Sequence, residues 1–203
     1  MSERWVPLDV ADVDPSPFVQ FRRWFDEASS FMVEPEAVTL VTSTPSGRAS
    51  ARMVLLRHHD EHTFGWYTNY ESRKGRELAA NPHAALLWYC EPLGRQIRIE
   101  GDVVKATPSE SDAYFATRAR GSQLGAIASH QSEPLASRDE LEARIAELAK
   151  KFEGRDVPRP EYWGGYRLTP NRVEFWQHRE DRLHDRVVYF LNDAAWRLER
   201  QSP

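Results

Sequence analysis

The chain has 203 residues, a formal net charge of −4, and 40% hydrophobic against 29% charged residues. That is a globular composition, long enough to bury roughly 70% of the surface its unfolded form exposes. The acidic balance excludes a general polyanion binder and thus a nucleic-acid partner. The longest apolar runs, Met53–Leu56 and Ala84–Tyr89, are strand-length and far short of the ~20 residues of a membrane helix.

The single cysteine, Cys90, excludes an internal disulfide and reads as a small residue at a strand end. Met1–Trp5 lacks the basic-then-apolar layout of a signal peptide, so a cytoplasmic setting is expected.

Pro15 and Pro17 open a helical pattern that places Phe18, Phe21, Phe25 and Ala28 on one face, and Pro35 closes the region. Strands follow at Ala37–Thr42 and Ser50–His58, joined by a Pro45-Ser46-Gly47 turn, and again at Thr63–Thr68. A short helix runs from Ser72 to before Pro82, followed by a strand over His83–Tyr89. Arg95–Thr107 is long and alternating, with Gly101 placed as a bulge residue.

Helices are predicted over Pro108–Ala119 and Ser137–Phe152, the latter with a capping box from Ser137 and Glu140. The chain ends in strands at Tyr166–Leu168, Arg172–Gln177, Arg186–Phe190 and Ala195–Arg200, with Asn192-Asp193 turning the last hairpin. Short strands joined by tight turns favour an antiparallel barrel over a parallel sheet. The expected fold class is mainly β with peripheral helices, in one domain over 1–203 with a short N-terminal arm at about 1–14.

Arginine gathers in local groups, Arg52 with Arg57, Arg73 with Lys74, Arg118 with Arg120, and Arg182 with Arg186. In an acidic chain such spots suit a small phosphorylated ligand. In Trp66–Lys74 a strand ends in hydroxyl and amide side chains, and a helix then starts at Ser72 with Arg73 and Lys74 in its first turn. Cations there oppose the helix dipole, and an anion beside the free N–H groups would offset them.

Farther on, alternation places Arg182, His184 and Arg186 on one side of an extended segment, two guanidiniums flanking an imidazole. A metal site is not expected. His58-His59 and the pair His178 and His184 lack a ligand spacing, and adjacent histidines on a strand face opposite ways.

Glu174-Phe175-Trp176-Gln177, then Arg182-Leu183-His184-Asp185-Arg186 four residues on, resembles the signature of the pyridoxamine 5′-phosphate oxidase family. The resemblance extends in order through Arg52–Leu56, Tyr67-Thr68-Asn69, Ser72-Arg73-Lys74, Arg95-Gln96, Ser122–Ala126, Gln131-Ser132 and Trp163-Gly164-Gly165, covering about residues 12 to 203. It implies an FMN-binding split barrel, with the flavin at a homodimer interface. It also implies oxidation of pyridoxine or pyridoxamine 5′-phosphate, with hydride passing to flavin N5 and dioxygen reoxidising the flavin to give hydrogen peroxide.

By the same resemblance Arg52, Met53, Val54, Leu55 and Leu56 lie along the flavin, and Arg73 and Lys74 hold its phosphate. Tyr67, Thr68, Gln96, Gln131, Ser132, Trp176 and Arg186 match further FMN contacts. Tyr114, Arg118 and Ser122 match residues that hold the substrate phosphate, and their spacing of four predicts one helical face. Arg182 and His184 match residues facing the pyridine ring, flanking Leu183.

Two departures stand out. Arg57 replaces the family's usual lysine, a planar fork in place of a point charge, and is expected to bind phosphate still. The Arg-x-x-Tyr segment of many relatives is absent from Met1–Pro7, where Trp5 is the one candidate substitute. Competing readings are a deazaflavin-dependent reductase of the same superfamily and a non-catalytic flavin or pyridoxal phosphate binder.

Overall fold

The computed structural model describes residues 5–203. Helix α1 (Pro17–Ser29) buries Phe18, Phe21, Trp24, Phe25 and Ala28, the face predicted from spacing with Trp24 added. It packs on a curled antiparallel sheet of β1 (Ala37–Ser43), β2 (Ala49–Leu55), β3 (His58–His59), β4 (Phe64–Asn69), β5 (His83–Cys90), β6 (Arg95–Lys105), β7 (Trp163–Gln177), β8 (Asp185–Asn192) and β9 (Ala195–Arg200). The strand order is β2-β1-β5-β6-β7-β4-β3, with β8 on β7 and β9 on β8. Inward alternation, such as Ile97, Ile99 and Val103 on β6, builds one main core against α1.

The sequence predicted two strands where the protein has one, β7. Its first half pairs with β4 and its second half with β8, while β6 runs along both. The register shifts between Glu100 and Gly101, and the paired segment of β7 carries Pro170, which has no N–H to donate. A Cβ on Gly101 would lie 2.1 Å from the Thr169 carbonyl oxygen, so the predicted bulge needs glycine. The bend lets one strand leave β4 and take up β8, curling the sheet into a half-barrel.

Two other predicted elements change their bounds. The strand expected over Ser50–His58 stops at Leu55 and resumes as the two-residue β3. The helix α2 spans Arg73–Ala80 as expected, with the Ser72 hydroxyl capping Gly75 N–H. The helix expected to reach Ala119 ends at Thr117 (α3, Pro108–Thr117), and a further helix, α4 (Arg120–Ala128), follows that the sequence did not signal. Helix α5 (Arg138–Lys151) forms as predicted, with Ser137 accepting from Glu140 N–H, but the reciprocal capping box lies at Thr107 and Glu110 on α3.

The N-terminal arm is tied to the last strands. Leu8 N–H donates to Asp185 at 3.1 Å, Arg200 donates to Leu8 O at 2.9 Å, and the Tyr189 hydroxyl donates to Asp14 O at 2.6 Å. Residues 1–4, part of the segment searched for an Arg-x-x-Tyr motif, lie outside the described residues. Trp5 packs its ring 4.8 Å from that of His178.

Candidate active site

A cavity of about 650 Å³ opens beside the outer face of β2, lined by β2, the end of β4, the start of α2 and the α3–α4 junction. Its wall holds Arg52, Met53, Val54, Leu55, Arg57, Tyr67, Thr68, Lys74, Tyr114, Arg118, Ala119, Ser122, Gln131 and Trp163, four cations and no carboxylate among the described residues. Residues expected to bind the cofactor or the substrate thus converge from segments up to 79 positions apart in sequence (52 to 131).

Lys74 is the most buried of these cations. Its ammonium donates to Gln131 at 2.6 Å, Thr68 at 3.2 Å and Ser72 at 3.3 Å, and no carboxylate pairs with it among the described residues. Burial, with the Arg52 charge adding to it, pushes its pKa down to about 8. Arg52 donates to Thr42 at 2.6 Å and to Leu40 O at 3.2 Å, and its fork lies 3.5 Å from Glu77. Burial lowers its pKa too, against the pull of Glu77.

Glu77, itself buried, accepts from Ser50 at 2.6 Å and from Arg73 Nε at 2.9 Å. Burial pushes its carboxyl up, but bonds from Ser50, Thr42 and Arg73 outweigh that and hold it at about 2. Glu77 therefore aims two arginines, a role the sequence reading missed. Its place four residues after Arg73 on α2 was the available signal. Ser132, at φ 75°, accepts from the Arg73 N–H at 3.1 Å, and so joins Gln131 at the start of α2.

Tyr114, Arg118 and Ser122 do meet at the cavity, but not on one helical face. Arg118 is extended (φ −72°, ψ 144°) between α3 and α4, and the kink brings Ser122 round from the second helix. Tyr67 and Tyr114 stack at 3.8 Å with planes 12° apart, and Trp163 lies nearly parallel to both. One Arg118 Nη is buried with no hydrogen-bond partner, which is costly unless a ligand supplies an acceptor. Trp163 and Ala119 had no role assigned from sequence.

Of the remaining predicted residues, all but Leu56 lie away from the main core, around β6–β8 and the turn before β8. Leu56 points into the main core. Gln96 on β6 lies opposite Trp176 on β7, which lies opposite Arg186 on β8. The His184 ring sits 4.5 Å from that of Trp176 and 5.1 Å from that of His178.

The extended segment expected through Arg182, His184 and Arg186 is instead a 3-10 turn over Glu180–Arg182, with Asp181 and Arg182 at φ 54° and 61°. Arg186 has a carboxylate partner within the chain. Glu174 takes Arg186 Nε at 2.8 Å and Nη2 at 3.0 Å, and also pairs with Arg98 and Arg172. Burial raises the Glu174 pKa, yet the three arginines bring it below the ordinary carboxylate value.

His184 Nδ1 accepts from the Arg179 N–H at 3.1 Å, which fits a neutral ring. Burial, then His178 and Arg182, lower its pKa. Arg182 and Leu183 are exposed. No group of three or more metal-ligating side chains occurs among the described residues.

Fold and cavity together define an antiparallel half-barrel whose cationic, aromatic-walled pocket suits planar anionic ligands. Residues 25–152 match the family model for pyridoxamine 5′-phosphate oxidase, and 163–203 match that for the pyridoxine 5′-phosphate oxidase C-terminal dimerisation region. The chain belongs to the pyridoxamine 5′-phosphate oxidase family.

It is 58% identical over 191 residues to the pyridoxine/pyridoxamine 5′-phosphate oxidase of Rubrobacter xylanophilus, covering 94% of this chain and 88% of that one. Against the enzyme of that name from a Nostoc species it is 52% identical over 198 residues, covering 97% and 92%. Among solved structures it is similar to PhzG from Burkholderia lata in complex with tetrahydrophenazine-1-carboxylic acid, at TM-score 0.90 and 35% identity over 97% and 98% of the two chains. A pyridoxamine 5′-phosphate oxidase-related, FMN-binding protein from Nostoc punctiforme shares the fold, at TM-score 0.73 and 18% identity over 94% and 100%. No helix among the described residues is long and apolar enough to cross a membrane.

Proposed function

We propose that the protein is an FMN-dependent oxidase that converts pyridoxine or pyridoxamine 5′-phosphate to pyridoxal 5′-phosphate. The observation that carries this reading is the cavity's two sets of cations on a wall that holds no carboxylate, each with one member, Lys74 or Arg118, that no carboxylate pairs with among the described residues. One set is Lys74, with Arg73 beside it, at the start of α2, together with Arg52 on β2. The other is Arg118 with Tyr114 and Ser122 at the α3–α4 junction. Two phosphorylated ligands, one cofactor and one substrate, account for both sets.

The buried, unpartnered Arg118 Nη and the Lys74 ammonium held only by neutral oxygens fit anionic ligands. Arg52, Arg73, Lys74, Gln131 and Ser132 would hold the FMN phosphate, with Met53 to Leu55 along the ring. FMN supplies the hydride acceptor for the substrate's C4′ carbon and, with dioxygen, the route to hydrogen peroxide. Arg57, Tyr114, Arg118 and Ser122 would bind the substrate phosphate and set the ring's position. A neutral His184 offers Nε2–H as a donor to the pyridine substituents, and Arg182 supplies positive charge beside it.

Gln96, Trp176, Arg182, His184 and Arg186 do not line the cavity of their own chain. They lie on β6, β7, β8 and the 3-10 turn, all but Gln96 inside the stretch that matches the dimerisation region. In a homodimer a second copy would bring this group to the first copy's cavity, completing the site. The test is aerobic turnover of pyridoxine 5′-phosphate against pyridoxine by the FMN-loaded protein. A preference of 100-fold or more for the phosphorylated vitamer is expected, and equal use of both would overturn the assignment.

A further inference from the structure

Arg118 is a cation in the cavity wall that no carboxylate pairs with among the described residues, and one of its Nη atoms is buried without a partner. What it touches is aromatic. Its guanidinium carbon sits 4.6 Å from the ring centre of Trp163 and 5.7 Å from that of Phe115. The chain leaves helical geometry at Arg118, and this lets the side chain cross the indole face.

Trp163 is fixed for that purpose. It is buried in a small cluster with Phe115, Leu124 and Val157, its N–H donates to Pro160 O at 3.0 Å, and its carbonyl accepts from Arg159 at 2.6 Å. Its plane lies 4° from that of Tyr114 and 13° from that of Tyr67.

We infer that Trp163 is a positioning residue for the substrate phosphate, holding the Arg118 guanidinium in the cavity by its π face. A carboxylate in this place would neutralise the guanidinium and compete with a phosphate for its N–H donors. An indole attracts the cation from one side, takes none of those donors, and keeps them aimed into the pocket. The inference rests on the reading that Tyr114, Arg118 and Ser122 take the substrate phosphate.

The experiment is a double-mutant cycle on the FMN-loaded protein with Trp163→Leu, Trp163→Phe, Arg118→Met and the combined variants. It reads kcat and KM for pyridoxine 5′-phosphate, with equilibrium dialysis of pyridoxal 5′-phosphate as a binding readout. Arg118→Met should raise KM about 30-fold, Trp163→Leu about tenfold with kcat within about twofold, and Trp163→Phe about threefold, as expected for a weaker π face. The Trp163 effects should vanish once Arg118 is gone, in both KM and dialysis.

A Trp163 penalty that persists in the Arg118→Met background, or one that falls on kcat alone, would overturn the inference while leaving the phosphate reading intact. Unchanged KM and dialysis in Arg118→Met would overturn that reading and the inference with it. If Trp163→Leu fails to fold, the Trp163→Phe cycle decides the matter, since its threefold effect must disappear with Arg118.

Discussion

Replacing Lys74 by methionine should make the ligand-free protein more stable while weakening its grip on a phosphorylated ligand. Lys74 is 8% exposed, and burial followed by the Arg52 charge takes its pKa from the ordinary 10.5 to about 8. At about 1.4 kcal/mol per pH unit, holding that charge costs the folded chain about 3 kcal/mol. Losing the bonds to Gln131, Thr68 and Ser72 offsets part of this, leaving a net gain of about 2 kcal/mol for Lys74→Met.

The sign with pH follows from linkage. Below about pH 8 both folded and unfolded chains carry the proton, and the penalty is complete. Between 8 and 10.5 the folded chain releases its proton first, so the ligand-free protein gains stability as pH rises, up to the unfolded value. Urea unfolding of ligand-free protein in phosphate-free buffer at pH 7 should show the gain, and at pH 10 most of the difference from the variant should be gone. FMN should bind the variant about 100-fold more weakly, and riboflavin nearly as well as before. A variant less stable than the parent at pH 7, or an equal loss for both flavins, would refute the reasoning.

Arg57 lines the cavity and lies 3.7 Å from Glu36, so Arg57→Lys should shift KM for the phosphorylated vitamer about two- to fivefold with kcat little changed. A tenfold fall in kcat would mean that the site depends on the planar fork. Glu174→Gln leaves Arg98, Arg172 and Arg186 around a 2%-exposed position without their shared anion. A loss of about 3–5 kcal/mol is expected in urea unfolding, and a loss under 1 would contradict it.

Because the Glu174 pKa is depressed, the parent should lose this contribution as pH falls below the ordinary 4.5, and Glu174→Gln should lack that component. Burial lowers the His184 pKa from 6.5, which favours the neutral ring. The profile of kcat/KM should therefore show no break from His184 between pH 7 and 8, and a break there that disappears in His184→Gln would count against a neutral donor.

Periodicity was a sufficient guide to α1, because one aromatic face repeats at helical spacing, and to β6, because alternation and Gly101 both show in the chain. It failed at β7, where Pro170 reads as a break. The strand survives because its partners change at that point and β6 bulges to match. It failed again between α3 and α4, where even four-residue spacing suggested one helical face but Arg118 is extended.

At the site, cations in the first turn of α2 pointed to an anion site, and Lys74 sits buried in the cavity wall. The carboxylates that aim the arginines were harder to find. Glu77 is a local partner of Arg73, whereas Glu174 meets Arg98 and Arg186 only through strand register. The pairing of Arg186 with Glu174, twelve residues away, left no local signal in the chain.

The most direct measurement is anaerobic addition of pyridoxine 5′-phosphate to the FMN-loaded protein, followed by air. The account predicts that the yellow colour bleaches on addition and returns with oxygen, as pyridoxal 5′-phosphate and hydrogen peroxide appear in equal amounts. A protein that binds FMN yet neither bleaches nor forms product with either phosphorylated vitamer would contradict it and leave a flavin-binding half-barrel without this oxidase activity.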